Sequence, residues 1–218
     1  FTTFAVDRRG DIWTVTAHDT FYLRHYPLRG FNEHGVPQYS AAEGDVEQIQ
    51  FPIDAGTYRA WGQVGRVSYD SQRDVMYLIG PRSNRKPDGS DNPLNYLARY
   101  DDWSKGNRTA KWIENLPNPD DDPNFMYAPP YPYNLPFHWM AFDVAEDKIF
   151  VAELWGPVHV YDAETGKRDT ILVPGPELNG SNAWEDEQMG IRACKRKNGE
   201  YLILTENSGY YGKNNLFR

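Results

Sequence analysis

Apolar and polar positions along this chain fall into short alternating blocks, and four stretches repeat one arrangement: a short apolar strand, a polar turn and a second apolar strand. They are Phe4-Ala-Val-Asp-Arg-Arg-Gly-Asp-Ile-Trp-Thr-Val-Thr16, Val67-Ser-Tyr-Asp-Ser-Gln-Arg-Asp-Val-Met-Tyr-Leu-Ile79, Met140-Ala-Phe-Asp-Val-Ala-Glu-Asp-Lys-Ile-Phe-Val-Ala152 and Ile191-Arg-Ala-Cys-Lys-Arg-Lys-Asn-Gly-Glu-Tyr-Leu-Ile203. Hairpins recurring about every 50–70 residues predict the blades of a β-propeller. Apolar residues occupy consecutive strand positions as often as alternate ones, as in Ile149-Phe-Val-Ala152. That pattern fits strands covered on both faces. No window carries a helical period, because Pro, Gly, Asn and Asp interrupt every candidate, so the chain reads as nearly all β.

Each repeat is expected to hold four strands. The first gives Thr2–Val6, Ile12–Thr16 after an Arg9-Gly10 turn, Phe21–Pro27, and a fourth strand near Tyr39. The second gives Val64–Tyr69, Val75–Ile79, Tyr96–Tyr100 and Thr109–Ile113. The third gives Trp139–Phe142, Ile149–Glu153, Val158–Tyr161 and Thr170–Val173, with Asp162-Ala-Glu-Thr-Gly166 as a turn that Asp opens and Gly closes. The fourth gives Ile191–Ala193, Tyr201–Thr205 and Asn214–Phe217. The repeats span about 1–52, 53–119, 120–180 and 181–218 of a single propeller domain. About fifteen strands make four blades less one strand, so the chain is expected to be the C-terminal part of a six- or seven-bladed ring, with a four-bladed ring as the alternative.

Asp7-Arg-Arg-Gly10-Asp-Ile-Trp13 resembles the D-x-x-G-x-I-W hairpin of NHL-type and streptogramin-lyase-like propeller repeats. Tyr100-Asp-Asp-Trp-Ser-Lys-Gly-Asn-Arg108 and Val160-Tyr-Asp-Ala-Glu-Thr-Gly166 look like the third-to-fourth-strand hairpins of the same broad group. The resemblance implies the propeller fold and leaves activity open. Such families include lyases, lactonases, sugar-binding proteins and scaffolds, and a fold does not choose among them. The lactonase-like branch binds a divalent cation at the ring centre, but no motif here carries those ligands over.

Composition narrows the partners. The net charge of −8 argues against nucleic acid, and no apolar run approaches the roughly 20 residues a membrane helix needs. Lys195-Arg196-Lys197 falls in a predicted turn and reads as solvated. The one cysteine, Cys194, lies in an apolar strand and is expected to be a small buried side chain. Two triplets, Asn107-Arg108-Thr109 and Asn179-Gly180-Ser181, fit the N-glycosylation sequon. Secretion or a periplasmic location is expected.

Candidate chemistry concentrates where the fourth strand of one blade leads to the first of the next. In a propeller these connections share one rim. Here they are Pro52–Gln63, Pro119–His138 and Gly175–Gln188, and they hold Tyr58, Trp61, Tyr127, Tyr131, Tyr133, His138 and Trp184, with Trp139 directly after the second. Aromatic rings stack on the apolar faces of sugars, while Asn134, Glu185, Asp186, Glu187 and Gln188 could bond hydroxyls. The alternative is that these rings plug the channel mouth or pack against neighbouring blades. His138 stands at the entrance of a predicted inner strand and, with Glu187, is a weak catalytic candidate. No H-x-H, H-x-x-H or H-E-x-x-H spacing exists, so no zinc site is expected. Asp120-Asp121-Asp122 and Glu185-Asp186-Glu187 lack the alternating spacing that wraps Ca²⁺, and they read first as solvated loop charge, with Ca²⁺ as the alternative. No nucleophile elbow, P-loop or dinucleotide fingerprint is present.

The leading expectation is non-catalytic binding of a carbohydrate or similar polar ligand. Trp61, Tyr131, Tyr133, Trp139 and Trp184 would stack on it, and His138, Glu187 and Gln188 would bond it. A polysaccharide lyase or hydrolase, a lactonase-like metal hydrolase, and a protein–protein scaffold in an extracellular assembly are the alternatives.

Overall fold

A computed structural model describes residues 4–18, 20–40, 47–50, 65–85, 91–116, 139–153, 158–172, 188–207 and 215–217. They are almost entirely β. The strands are β1 (Phe4–Val6), β2 (Ile12–His18), β3 (Thr20–Tyr26), β4 (Leu28–Phe31), β5 (Pro37–Tyr39), β6 (Glu47–Gln50), β7 (Arg66–Asp70), β8 (Val75–Arg85), β9 (Asp91–Asp101), β10 (Trp112–Asn115), β11 (Trp139–Ala145), β12 (Lys148–Glu153), β13 (Val158–Asp162), β14 (Arg168–Leu172), β15 (Gln188–Lys195), β16 (Tyr201–Asn207) and β17 (Asn215–Phe217). One 3-10 turn, Trp103–Lys105, is the sole helical segment among the described residues. No helix there is long and apolar enough to cross a membrane.

The strands form antiparallel sheets in the orders β1-β2-β3-β6, β10-β9-β8-β7, β11-β12-β13-β14 and β15-β16-β17, and β4 and β5 make a separate two-stranded hairpin. Each sheet thus follows chain order, the first passing over the β4–β5 hairpin, and every described pairing is antiparallel. The chain divides into two compact units, Phe1–Asn115 and Leu116–Arg218.

In the first unit, the first two sheets pack face to face. Ala5, Trp13, Val15 and Leu23 of one meet Val67, Met76, Leu78, Tyr96, Ala98 and Tyr100 of the other, with Trp103 at the end. In the second unit, Ala145, Phe150, Ala152, Val158 and Val160 of the third sheet meet Ile191 and Ile203 of the fourth. Alternation supplies these faces: along β2, Trp13 and Val15 are buried while Ile12 and Thr14 are only half-buried. The consecutive apolar runs behave as expected. Val75 to Ile79 of β8 and Ile149 to Ala152 of β12 are buried without interruption, so both strands are covered on both faces.

Within each unit the first strands of the two sheets lie side by side and run in the same direction. In the first unit the residues just after β1 meet the end of β7: the Arg8 N–H donates to Tyr69 Oη at 3.2 Å, and its guanidinium donates to the carbonyls of Ser71 and Gln72. In the second unit the Ala193 N–H of β15 donates to Asp143 Oδ2 of β11 at 2.9 Å. Further on, Lys195 reaches Asp147 at 2.8 Å and Glu146 at 3.3 Å. Far ends paired with far ends make the strands parallel neighbours.

Three expectations need correction. The fourth strand of the first sheet is Glu47–Gln50, not the region of Tyr39, which belongs to the inserted β4–β5 hairpin. Cys194 is exposed: it follows Ala193 on the opposite side of β15, and Ala193 faces the third sheet. Lys195 is not merely solvated, since it ties two turns together.

Candidate functional site

Trp61, Tyr131, Tyr133, His138, Trp184 and Glu187 lie outside the described residues, as do Tyr58, Tyr127, Asn134, Glu185, Asp186 and the Asp120–Asp122 run. Trp139 and Gln188 are the first residues of β11 and β15. Those two strands are neighbours running the same way, so Trp139 and Gln188 stand at one end of the second unit. Both strand entries are also irregular. The register of β11 on β12 slips between Trp139 and Ala141, and that of β15 on β16 slips between Gln188 and Gly190. An extra residue in one strand of a pair bends it and re-aims the side chains beside it, and such bulges gather next to binding sites. The corresponding entries of β1 and β7 pair without a slip.

The opposite end of the sheets holds a polar network that sequence reasoning missed. Asp7 closes the turn between β1 and β2. Its Oδ1 accepts from the N–H groups of Arg9 at 2.9 Å and Asp11 at 3.1 Å, and its Oδ2 accepts from the Trp13 indole N–H at 3.0 Å. Gly10 supplies the φ of 86° that this turn demands. Four residues on, Asp11 fastens the far end of β3. Its Oδ1 accepts from Leu28 N–H at 2.9 Å, and its Oδ2 meets His25 Nε2 at 2.8 Å and Arg9 at 2.9 Å. Burial alone would raise the Asp11 carboxyl, but Leu28, His25 and Arg9 outweigh it and hold it below the usual carboxylate value.

Asp74 repeats the role in the second sheet. It accepts from Tyr69 Oη at 2.7 Å, Ser104 N–H at 2.9 Å and Ser104 Oγ at 2.8 Å, while its carbonyl accepts from Trp103 N–H at 3.2 Å. In the third sheet the Asp147 carbonyl accepts from Ala163 N–H at 2.9 Å. The signal lay in the spacing: an Asp four residues before another Asp, at 7/11, 70/74 and 143/147, marks the first turn of the first three sheets.

Around this network sits an aromatic cluster. The Trp13 ring stacks on His25 at 4.0 Å and meets Trp103 edge-on at 4.8 Å. The Arg108 guanidinium lies 3.8 Å from the Trp103 ring and 4.9 Å from that of Trp13, and it donates to the Trp103 carbonyl at 2.8 Å. His25 against Asp11 has the spacing of a catalytic pair. The oxygens of Asp11 are nevertheless taken up by turn and corner donors, so the pair holds a corner of the sheet rather than meeting a substrate. Among the described residues no group of three or more His, Cys, Asp or Glu could hold a metal ion.

No family model matches the chain, and no curated protein matches it. Among solved structures, a europium-containing methanol dehydrogenase resembles it at 12% identity and a TM-score of 0.37, covering 88% of this chain and 38% of that one. The chain therefore spans well under two thirds of that protein's length. A likeness that distant carries nothing about activity, and the fold description rests on the strands and sheets above.

Proposed function

We propose that the protein is a non-catalytic binding module for a carbohydrate or similar polar ligand, exported from the cell, with its site at the end of the second unit where β11 and β15 begin. The observation that supports this reading is the pair of register slips at Trp139 and Gln188, on neighbouring strands that run in the same direction. Two bulged entries side by side bend the backbone of both strands where they begin. The segments that enter there carry Tyr131, Tyr133 and His138 on one side and Trp184 and Glu187 on the other. Aromatic faces for the apolar side of a sugar and carboxylate or amide groups for its hydroxyls are the combination such a ligand requires. Trp61 would belong to the equivalent entry of β7.

The propeller reading itself, with these sheets as part of a larger ring, is proposed on related grounds: antiparallel sheets of three or four strands that follow chain order, with first strands side by side and parallel within each unit.

A glycan array followed by calorimetry on the best hit tests the binding reading. Binding without turnover is expected, with Trp139→Ala and Trp184→Ala each weakening affinity about tenfold or more, or roughly 1.4 kcal/mol. Chelation is expected to change nothing. A screen with no glycan bound, or affinities indifferent to both tryptophans, removes the site. Product release would replace the binding reading with an enzymatic one.

A further inference from the structure

At the end of the second unit where β11 and β15 begin, strand register pairs residues that a regular strand would keep on opposite faces. Ala141 and Ala152 are paired, and both lie on the face of the third sheet that packs against the fourth. Glu153 follows Ala152 and so belongs to the opposite face. In a regular strand Trp139, two residues before Ala141, would share the face of Ala141. The slip pairs it with Glu153 instead, and a slip of one residue moves a position to the other face. Trp139 and Glu153 are therefore cross-strand neighbours on one face, at positions whose Cβ atoms ordinarily stand about 4.5–5.5 Å apart.

The fourth sheet repeats the device. Ile191 pairs with Thr205, which is 0% exposed, on the face toward the third sheet. Gly190 pairs with Glu206 on the other face. The slip pairs Gln188 with Asn207 and so places both on the face of Ile191 and Thr205. Because β11 and β15 are neighbours running the same way, the two pairs stand at one end of the unit.

The two pairs offer different chemistry. An aromatic face and a carboxylate each attract a protonated amine. Two carboxamides supply donors and acceptors for hydroxyls and carry no charge. Charge along the chain sorts the same way. Residues 117–138 and 173–187, which lead into β11 and β15, hold seven carboxylates and no Lys or Arg, so the rest of the chain carries −1 of the total −8. Lys148, Lys167, Arg168, Lys195, Arg196 and Lys197 stand at the turns of the opposite end. An end so charged draws in cations and repels anions.

We infer that the ligand of this end is an amine-bearing sugar, with Glu153 and Trp139 taking its ammonium group and Gln188 and Asn207 its hydroxyls. The inference rests on the binding-module reading and narrows it: uronic and sulfated sugars, which are anions, are refused. Glu153 and Asn207 are specificity residues that no sequence pattern singles out, because only the register brings them beside Trp139 and Gln188.

Calorimetry with two matched hexasaccharides, one of β-1,4-linked glucosamine and one of its N-acetylated form, tests it, with spermidine as an amine that is not a sugar. The free-amine hexamer is expected to bind about tenfold or more tightly than the acetylated one, with the advantage shrinking in about 1 M salt. Glu153→Gln keeps the shape of the side chain and is expected to abolish the preference while leaving the affinity for the acetylated hexamer unchanged. Asn207→Ala is expected to weaken both hexamers alike. A urea midpoint matching wild type shows that each variant folds. Equal affinities for the two hexamers, or a preference that survives Glu153→Gln, overturn the inference and leave the binding-module reading standing. Spermidine bound while both hexamers are not supports the ammonium site and overturns the sugar. No binding of any of the three overturns both readings.

Discussion

One carboxylate, that of Asp7, holds the turn between β1 and β2. It is 5% exposed and accepts two backbone N–H groups and the indole of Trp13 at once. Trp13→Phe keeps most of the buried ring but deletes that donor. A loss of about 1–3 kcal/mol is expected, the usual cost of a buried acceptor losing its partner, read from urea unfolding. Trp13→Ala should cost about 3–5 kcal/mol, because a cavity is added. Gly65 makes a second test. A Cβ there would overlap Val15 Cγ1, so Gly65→Ala should destabilise by about 1–3 kcal/mol through overpacking. Combined with Val15→Ala, the loss should be smaller than the sum of the single losses, since the two changes share one space. At this scale the sequence was only half legible. The D-x-x-G-x-I-W run could be read as a hairpin, because Gly after Asp is a turn signal wherever it occurs. That the Asp binds the Trp of its own motif could not, because the contact depends on the pleat placing residues six apart on one side.

At the scale of elements, apolar runs located most of the strands and polar ones were misplaced. Glu47–Gln50 has little apolar content and pairs only with β3, and such an edge strand leaves almost no periodic signal. Tyr39, aromatic and flanked by Pro37, looked like the better strand and is one, but in a hairpin of its own. That hairpin would be marginal alone. It is anchored at its base by Tyr39 Oη donating to the Gly10 carbonyl at 3.1 Å and by Leu28 N–H on Asp11. Its tip is shaped by Asn32 Oδ1 accepting from His34 and Val36. Tyr39→Phe should therefore cost about 0.5–1.5 kcal/mol and raise amide exchange across Leu28–Tyr39 more than elsewhere. Uniform exchange would mean the hairpin is held by something other than its base. The candidate binding site was the least legible element. Aromatic residues in connections can be counted from sequence, but the slips at Trp139 and Gln188 depend on partner strands whose register no local pattern encodes.

For the molecule as a whole, the acidic balance of −8 matters less than where the carboxylates sit. Asp11, Asp70, Asp74, Asp147 and Asp162 are all held below the ordinary carboxylate value by turn donors or cations. Asp147 is the clearest. The Lys195 ammonium and then the Tyr201 hydroxyl bring it down from 3.8 to about 2, against a small opposing effect of burial. Unfolding frees these groups to bind protons at a higher pH than the folded chain does, so stability is full above about pH 4 and drains as pH falls toward 2. The same contacts push the Lys195 ammonium up, and it stays charged throughout that window. Urea midpoints measured from about pH 6 down to pH 2 should fall steeply at the acid end. In Asp147→Asn the protein should be weaker than wild type near neutrality and should converge on it as pH approaches 2, since the ion pair it lacks is the one protonation removes. Because Asp147 is largely exposed, the difference should shrink in about 1 M salt, where charges screen each other within roughly 3 Å. Parallel pH curves for the two proteins would mean that Lys195 and Asp147 touch without contributing, and that the tie between the third and fourth sheets rests on the other contacts, among them Ala193 on Asp143, Lys195 on Glu146 and the apolar core.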